Sequence, residues 1–329
     1  MLESLGVLVN AFLLLAFIVI LNYASELSID NAVKVAEVTG FSKTTVGFVL
    51  IAMATTLPEL SVSVFSAVQG EGAGLAVGNA LGSNIVNICF IVGVALLVSS
   101  FMTSRRTKEI QIITKEDVKT IYSGLFIASI IPLVLIYIGY ASRFIGAALV
   151  GIFIYQVLRL TKAKSENESE NSLEDEKGDE PFRRYLLLTF LGALFVVLSA
   201  YFIVDSASYI AESIGVPRVI IGATVIAFGT SLPELANSVK SSLKGHFDLA
   251  LGNIVGSCFI NTTLILGVAL LGTPFRINMD AYTGLAVFSL MASLLLWYFV
   301  SNERMGWKEG ALLLCMYLVF LAQMIGYGL

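Results

Sequence analysis

Long apolar runs recur along the whole chain, and they constrain its fold more than any other feature. A run of about 18 or more apolar residues is long enough to cross a bilayer as a helix. Hydrophobic residues make up 57% of the chain and charged residues 13%, whereas soluble domains carry about 25% charged residues. Backbone groups in lipid must bond within their own segment, which favours helices. The sequence therefore predicts an all-α polytopic membrane protein.

The apolar runs predict ten transmembrane helices. They cover residues 5–24, 44–69, 73–99, 120–139, 142–161, 184–209, 217–243, 248–272, 279–300 and 308–327. The first run has no basic leader and no small-residue cleavage site, so we expect a retained helix. Residues 162–183 contain eight acidic side chains and almost no apolar ones, which predicts a flexible linker. This linker would separate two halves, residues 1–161 and 184–329.

The basic residues predict the orientation in the membrane. In the ten-helix scheme, 17 of the 20 Lys and Arg residues fall on one side, and Arg143, Arg218 and Arg276 fall on the other. Basic loops face the cytoplasm. We therefore expect a protein of the cell membrane with both termini outside and the linker 162–183 in the cytoplasm.

The two halves repeat each other. ATTLPE at residues 54–59 recurs as GTSLPE at 229–234, and GNALGSNIVN at 78–87 recurs as GNIVGSCFIN at 252–261. Each half has five predicted helices, an odd number, so the second half would have the opposite orientation in the membrane. Inverted repeats are typical of secondary transporters, whose sites lie near the midplane between the halves.

The first motif of each half indicates a cation site. Pro58 and Pro233 break their helices and displace nearby carbonyl groups, while hydroxyl groups precede them and Glu59 and Glu234 follow them. Sites made only of oxygen suit hard cations such as Ca²⁺ or Na⁺. The alternative is a proline kink whose glutamate pairs with a lysine, but the sequence places no basic residue at that depth.

The second motif of each half adds hydroxyl and amide groups. Ser83 and Asn87 are four residues apart, as are Ser257 and Asn261, so each pair shares one helix face. The bland interpretation is that the asparagines bond across helices and the motif glycines allow close packing; for the glycines we favour it. Asn79 and Asn253, beside the first glycines, could cap broken helices, bond the backbone or bind ions.

The doubled motifs resemble the two α-repeats of the calcium/cation antiporter superfamily, in its sodium/calcium exchanger branch with prokaryotic members. The resemblance covers nearly the whole chain. It implies a midplane site on the second, third, seventh and eighth helices, within motifs 52–87 and 227–261, past which the first and sixth helices slide. The ligand oxygens that it implies belong to Ala52, Thr55, Thr56, Glu59, Ser83, Asn87, Ala227, Thr230, Ser231, Glu234, Ser257 and Asn261.

The sequence departs from the family pattern in two places. Ala54 stands where the motif usually has glycine, and Asn87 and Asn261 are both neutral where an acid is often found at one of them. Glu59 and Glu234 then supply a formal charge of −2, which matches one Ca²⁺ or two Na⁺. We expect a secondary antiporter that exchanges Ca²⁺ for Na⁺ by alternating access. Exchange of Ca²⁺ for H⁺ or another cation is the alternative, and the stoichiometry is open.

Other function classes find little support. Cys89, Cys258 and Cys315 lie in apolar runs without metal spacing and are expected in the core. His246, the single histidine, is expected at the surface, and no H-E-x-x-H or G-x-S-x-G motif indicates an enzyme. A channel would be expected to form a ring of subunits. We expect no cofactor, no nucleic acid and no protein partner; the lipid bilayer and inorganic cations are the expected partners.

Overall fold

The structure, a computed structural model, describes residues 6–39, 43–60, 73–103, 115–168, 179–213, 227–272, 275–276, 279–302 and 305–328. Nearly all of these residues are helical. The helices are Gly6–Thr39, Lys43–Val46, Ala52–Thr55, Ala73–Ile85, Gly93–Thr103, Lys115–Ile138, Arg143–Glu168, Asp179–Ser213, Ala227–Thr230, Leu232–Leu243, Phe247–Ile260, Leu266–Gly272, Met279–Ser301 and Trp307–Gly328. In the part of the chain that the structure describes, three π-helical segments join successive helices: Gly47–Ile51, Val86–Val92 and Asn261–Ile265. The short strands Tyr140–Ala141 and Phe275–Arg276 pair antiparallel.

Among the described residues, five helical segments are long and apolar enough to cross a membrane. They are Gly6–Thr39, Gly78–Phe101, Phe182–Ser199, Phe247–Gly272 and Gly284–Ser301. The fold is thus nearly all-helical, as expected, and several of its helices can span a bilayer. The full set of ten spans and their inverted arrangement stay predictions, since parts of the second and seventh runs lie outside the described residues.

Some helices extend past their predicted ends. The first helix continues to Thr39, the helix before the acidic linker continues to Glu168, and the next one begins at Asp179. Hydropathy marks only the part of a helix that lies in lipid, whereas Glu, Lys and Ala continue a helix readily in water. Residues 162–168 and 179–183 of the expected linker are therefore helical, and residues 169–178 lie outside the described part.

The second motif of each half, residues 78–87 and 252–261, is called the GN–GS motif. The two segments that carry these motifs form the centre of the protein. Within their apolar windows, 78% of Gly78–Phe101 and 83% of Phe247–Gly272 is buried, against 18% of Gly6–Thr39. The peripheral helices expose large apolar side chains such as Leu8, Phe12 and Tyr137, as expected of surfaces that face lipid. Cys89 and Cys258 are buried as predicted, but Cys315 is exposed on its helix, so its expected place in the core is wrong.

Glycines bring the central helices close together. A Cβ atom on Gly256 would lie 2.8 Å from the Ala52 Cβ, and one on Gly47 would lie 2.9 Å from the backbone nitrogen of Asn253. Residues 43–55 therefore cross helix Phe247–Ile260 at backbone contact. The packing role expected of the motif glycines is confirmed for Gly256, but it is not seen at Gly78 and Gly82, where an added Cβ would meet no heavy atom within 4 Å in the described part.

The first long helix pairs with the helix that begins the second half. The Ser28 hydroxyl donates to the Thr189 carbonyl at 3.3 Å, and the rings of Phe17 and Phe202 stack with their centroids 4.4 Å apart. At one end of this pair, Lys244 contacts Glu26 and Asp30 on the first helix. The first helix is thus tied both to its long neighbour and to helix Leu232–Leu243.

Candidate functional site

Both proline motifs interrupt their helices in the same way. Helix Ala52–Thr55 stops at Thr56, whose φ and ψ are −81° and 6°. Ser231, the equivalent residue of the other motif, has φ and ψ of −87° and 6°, and helix Leu232–Leu243 follows it with proline in its first turn. Proline is tolerated there because the first backbone N–H groups of a helix have no partner within it. The shared conformation shows that the two motifs are locally equivalent.

These breaks place the two glutamates at the start of helical segments. Glu234 lies in the first turn of Leu232–Leu243, and Glu59 follows Thr56 by three residues, as Glu234 follows Ser231. The free N–H groups and dipole at a helix N-terminus stabilise a negative charge. The local fold therefore partly compensates for two carboxylates that are both 0% exposed.

Hydroxyl groups from both motifs reach the two carboxylates. The Ser231 hydroxyl donates to Glu59 Oε1 at 3.4 Å, and the Ser257 hydroxyl donates to Glu234 Oε1 at 3.2 Å. The Thr230 hydroxyl is also a partner of Glu59, and the Thr55 hydroxyl is one of Glu234. Since Ser231 and Thr55 each reach the carboxylate of the other half, the motifs form one site.

The GN–GS motifs add buried side chains whose oxygen atoms have no hydrogen-bond partner in the described part. Asn87 lies in the π-helical segment Val86–Val92, and Asn261 begins the π-helical segment Asn261–Ile265. Within the described part, the Ser83 hydroxyl, Asn87 Oδ1 and Asn261 Oδ1 have no hydrogen-bond partner. Short π-helical segments are rare in proteins as a whole, and those that occur are often found at functional sites.

Other predicted ligands are engaged within the protein. The Ala52 carbonyl accepts from the Thr56 nitrogen at 3.0 Å and from the Thr56 hydroxyl at 2.9 Å. The Thr55 hydroxyl lies 3.3 Å from Asn253 Oδ1. Ala227 is described as the first residue of helix Ala227–Thr230. For the Ala52 carbonyl to serve as a ligand, the Thr56 hydroxyl has to rotate away from it.

Two asparagines that the sequence left open have structural partners. Asn79 Nδ2 donates to the Glu59 carbonyl at 3.3 Å, which is the backbone bond that was one of its three possibilities. Asn253 accepts from Thr55, and its Nδ2 donates to the Ser238 hydroxyl at 3.2 Å. Both asparagines therefore hold the broken helices around the glutamates.

Asn84 is a site residue that sequence reasoning missed. Its Oδ1 accepts from Asn261 Nδ2 at 3.1 Å, and both side chains are fully buried. The equivalent of Asn84 in the second half is Cys258, so a comparison of the two motifs passes over this position. A buried asparagine one residue from Ser83 was the available signal.

The site offers oxygen ligands and little else. Among the described residues, no three His, Cys, Asp or Glu side chains lie together in the way that zinc and copper sites require. Carboxylate, hydroxyl and amide oxygens suit hard cations. Two buried carboxylates with one formal charge each attract a divalent cation or two monovalent cations.

Comparison with known proteins identifies the family. The family model described as "Sodium/calcium exchanger protein" matches residues 9–162 and 184–326. The chain belongs to the sodium/calcium exchanger family. The family match covers both halves and leaves out much of the acidic linker.

Relatives and a solved structure agree with this membership. The sodium/calcium exchanger MaX1 of Methanosarcina acetivorans is 29% identical over 350 residues, covering 95% of this chain and 97% of MaX1. The inner membrane protein YrbG of Escherichia coli is 30% identical over 323 residues and covers 95% of each chain. The solved structure of the sodium-calcium exchanger NCX_Mj, soaked with Na⁺ and Sr²⁺, superposes with a TM-score of 0.82 at 26% identity, over 96% of this chain and 99% of NCX_Mj.

Family membership confirms the resemblance that the motifs indicate. This family member is an integral membrane transporter, of a family that exchanges Ca²⁺ with other cations. The inorganic cations are its cargo.

Proposed function

We propose that the protein extrudes Ca²⁺ in exchange for Na⁺ by alternating access to one buried site. One observation carries the proposal. Five buried oxygen atoms of the predicted ligand set have no hydrogen-bond partner in the described part: Glu59 Oε2, Ser83 Oγ, Asn87 Oδ1, Glu234 Oε2 and Asn261 Oδ1. Buried polar atoms are usually paired in folded proteins, and these five oxygens, two of them from the buried carboxylates, are free to serve as ligands of a cation.

The charge and the number of oxygens both suit Ca²⁺. Ca²⁺ takes six to eight oxygen ligands at about 2.3–2.6 Å. Glu59 and Glu234 together neutralise one Ca²⁺ or two Na⁺. The two cations thus compete for the same carboxylates, and full occupancy by one excludes the other.

The proposed ligand set is the one that the resemblance implies. It comprises Ala52, Thr55, Thr56, Glu59, Ser83, Asn87, Ala227, Thr230, Ser231, Glu234, Ser257 and Asn261. Glu59 and Glu234 bind Ca²⁺ directly, and Na⁺ ions use the flanking hydroxyl, amide and carbonyl oxygens. The unpaired oxygens of Glu59 and Glu234 and their hydroxyl partners support the first part of this assignment.

Charge neutralisation explains why exchange is obligatory. An unoccupied site has a charge of −2 in a setting where an unpaired charge is costly. A filled site is close to neutral and can pass between apolar surfaces as the first and sixth helices slide. The return step therefore requires the replacement ion, and Ca²⁺ movement is coupled to Na⁺ movement.

The proposed topology places this site at the membrane midplane. Ten helices in two inverted halves, 1–161 and 184–329, place both termini outside the cell membrane and the linker 162–183 in the cytoplasm. The matched helix breaks at Thr56 and Ser231 and the contacts of each glutamate with the other half support one site between two equivalent halves. The orientation is supported by the distribution of Lys and Arg.

Isotope flux in proteoliposomes tests the function. Vesicles loaded with Na⁺ should accumulate ⁴⁵Ca²⁺, and uptake should stop when the internal Na⁺ is removed. Glu59→Gln and Glu234→Gln should each abolish uptake, since each removes half of the site's charge at nearly constant volume. Glu37→Gln, an exposed carboxylate on the first helix, is the matched control and should transport normally. Uptake that ignores the Na⁺ gradient would refute Na⁺ coupling.

A second candidate retains the site and changes the coupling ion. Carboxylates bind protons as well as metal ions. Asn87 and Asn261 are neutral, so they add no negative charge that would favour binding of a further Na⁺. The same vesicles, given a pH gradient or a K⁺ gradient in place of Na⁺, separate the candidates. Uptake driven by the pH gradient alone would assign H⁺/Ca²⁺ exchange.

A further inference from the structure

We propose that Asn84 is a positioning residue that fixes the side-chain amide of Asn261, so that the oxygen of Asn261, and not its nitrogen, faces the cation. The proposal rests on the function proposed above and adds to it a residue outside the predicted ligand set. Its basis is the hydrogen bond from Asn261 Nδ2 to Asn84 Oδ1, 3.1 Å long and wholly buried.

An asparagine ligand faces a problem that a carboxylate does not. Its amide group has an oxygen that binds cations and a nitrogen that carries two donor hydrogens. The last torsion of the side chain is soft and roughly two-fold, so both faces are accessible unless another group distinguishes them. At Asn261 the nitrogen is held by Asn84 Oδ1 and the oxygen is unpaired, which is the orientation that a cation requires. Asn84 Nδ2 has no partner in the described part, so a joint flip of both amides would also keep a hydrogen bond, and the preference of a cation for oxygen favours the orientation observed.

The other half of the site has a thiol in place of this amide. By the offset of 174 residues, Asn84 corresponds to Cys258 and Asn87 corresponds to Asn261. The Cys258 thiol is a hydrogen-bond partner of the Asn87 amide, but a thiol is a weak donor and acceptor, and no second amide pairs with Asn87 in the described structure. Only the Asn261 amide is held by a second amide, so the two asparagines are not equivalent ligands.

Combining Asn84→Ala with Asn261→Asp tests the role. Apparent Ca²⁺ affinity is measured by ⁴⁵Ca²⁺ uptake into Na⁺-loaded proteoliposomes and by the rise in unfolding temperature that Ca²⁺ causes. Residues that orient a metal ligand typically contribute about 10- to 100-fold to affinity, so Asn84→Ala should weaken Ca²⁺ binding by that factor. A carboxylate presents oxygen whichever way it turns. In the Asn261→Asp protein, Asn84→Ala should therefore change affinity by no more than about twofold.

The double comparison separates positioning from packing. A loss of the same size in both backgrounds would mean that Asn84 acts through packing, and no loss in the wild-type background would mean that it has no role; either result overturns the proposal. Gly151→Ala, at an exposed position where no heavy atom lies within 4 Å of the added Cβ, is the control and should change affinity by less than about twofold.

The remaining outcomes are also decisive. If Asn84→Ala gives no folded protein, Asn84→Cys takes its place, because it introduces the side chain found at position 258. Its Ca²⁺ affinity is then measured in the wild-type protein and in the Asn261→Asp protein. If Ca²⁺ neither stabilises the wild-type protein nor is transported by it, the proposed function is overturned, and the role of Asn84 is overturned with it. Equal losses in the two backgrounds overturn the role of Asn84 alone.

Discussion

Adding one methyl group at Gly256 should separate the two halves of the site. The new Cβ would lie 2.8 Å from the Ala52 Cβ, whereas non-bonded carbon atoms pack at about 3.5–4.0 Å. The helices must therefore move apart by about 1 Å. Ca²⁺–oxygen distances vary over only about 0.3 Å, so the shifted helices cannot hold Glu59 and Ser257 around the same ion without being pressed together again.

The packing geometry gives the size of the effect. Overpacking a core by one methyl group costs about 1–3 kcal/mol. If Ca²⁺ has to restore the original spacing, this strain is subtracted from its binding free energy, and affinity falls roughly 5- to 150-fold. We expect Gly256→Ala to lower both the apparent Ca²⁺ affinity in flux assays and the unfolding temperature in detergent.

A second glycine gives the control. Gly151 is exposed on helix Arg143–Glu168, and no heavy atom lies within 4 Å of the Cβ that alanine would add. Gly151→Ala should leave transport unchanged and should be neutral or slightly stabilising, because alanine favours a helix over glycine by about 1 kcal/mol. Wild-type affinity in Gly256→Ala, with a correctly folded protein, would refute the claim that close contact of the helices sets the ligand spacing.

Two further predictions concern stability. Ca²⁺ at about 100 times its dissociation constant should stabilise the protein against thermal unfolding by about 2.7 kcal/mol. Glu59→Gln and Glu234→Gln should lose this stabilisation, and Glu37→Gln should retain it. If both site variants are stabilised as much as the wild type, the Ca²⁺ site lies elsewhere. Lys244→Gln breaks the contacts with Glu26 and Asp30, but since these groups are partly exposed, the loss in unfolding free energy should be below about 1 kcal/mol, and a larger loss would show that the ion pairs are not screened by solvent.

The chemistry of the site could be predicted from the sequence because the same motif occurs in both halves. Glu59 and Glu234 stand at matched positions beside matched prolines, and both are buried with hydroxyl partners in the structure. The helix breaks were also predicted, because proline acts locally on its own backbone. The ligand roles of Ala52, Ala227 and the hydroxyl residues stay predictions.

Features set by packing between distant segments were not readable. The π-helical segments at Asn87 and Asn261 have no local signature, since both asparagines continue an apolar helix in sequence. Asn84 escaped notice because its partner is 177 residues away and its repeat equivalent is a cysteine. The helical ends beyond residue 161 and before residue 184 were missed because hydropathy says nothing of a helix that leaves the membrane.

The hydroxyl contacts of the two carboxylates explain how ion binding can be coupled to movement. Glu59 accepts from Ser231 on the other half, while Glu234 accepts from Ser257 on its own half and has Thr55 of the other half as a further partner. In the proposed function, a cation that binds Glu59 and Glu234 together would recruit the same hydroxyl oxygens as ligands. Binding then replaces hydrogen bonds between the halves by bonds to one ion. The state of the interface between the halves therefore depends on which cation fills the site, as an exchanger requires.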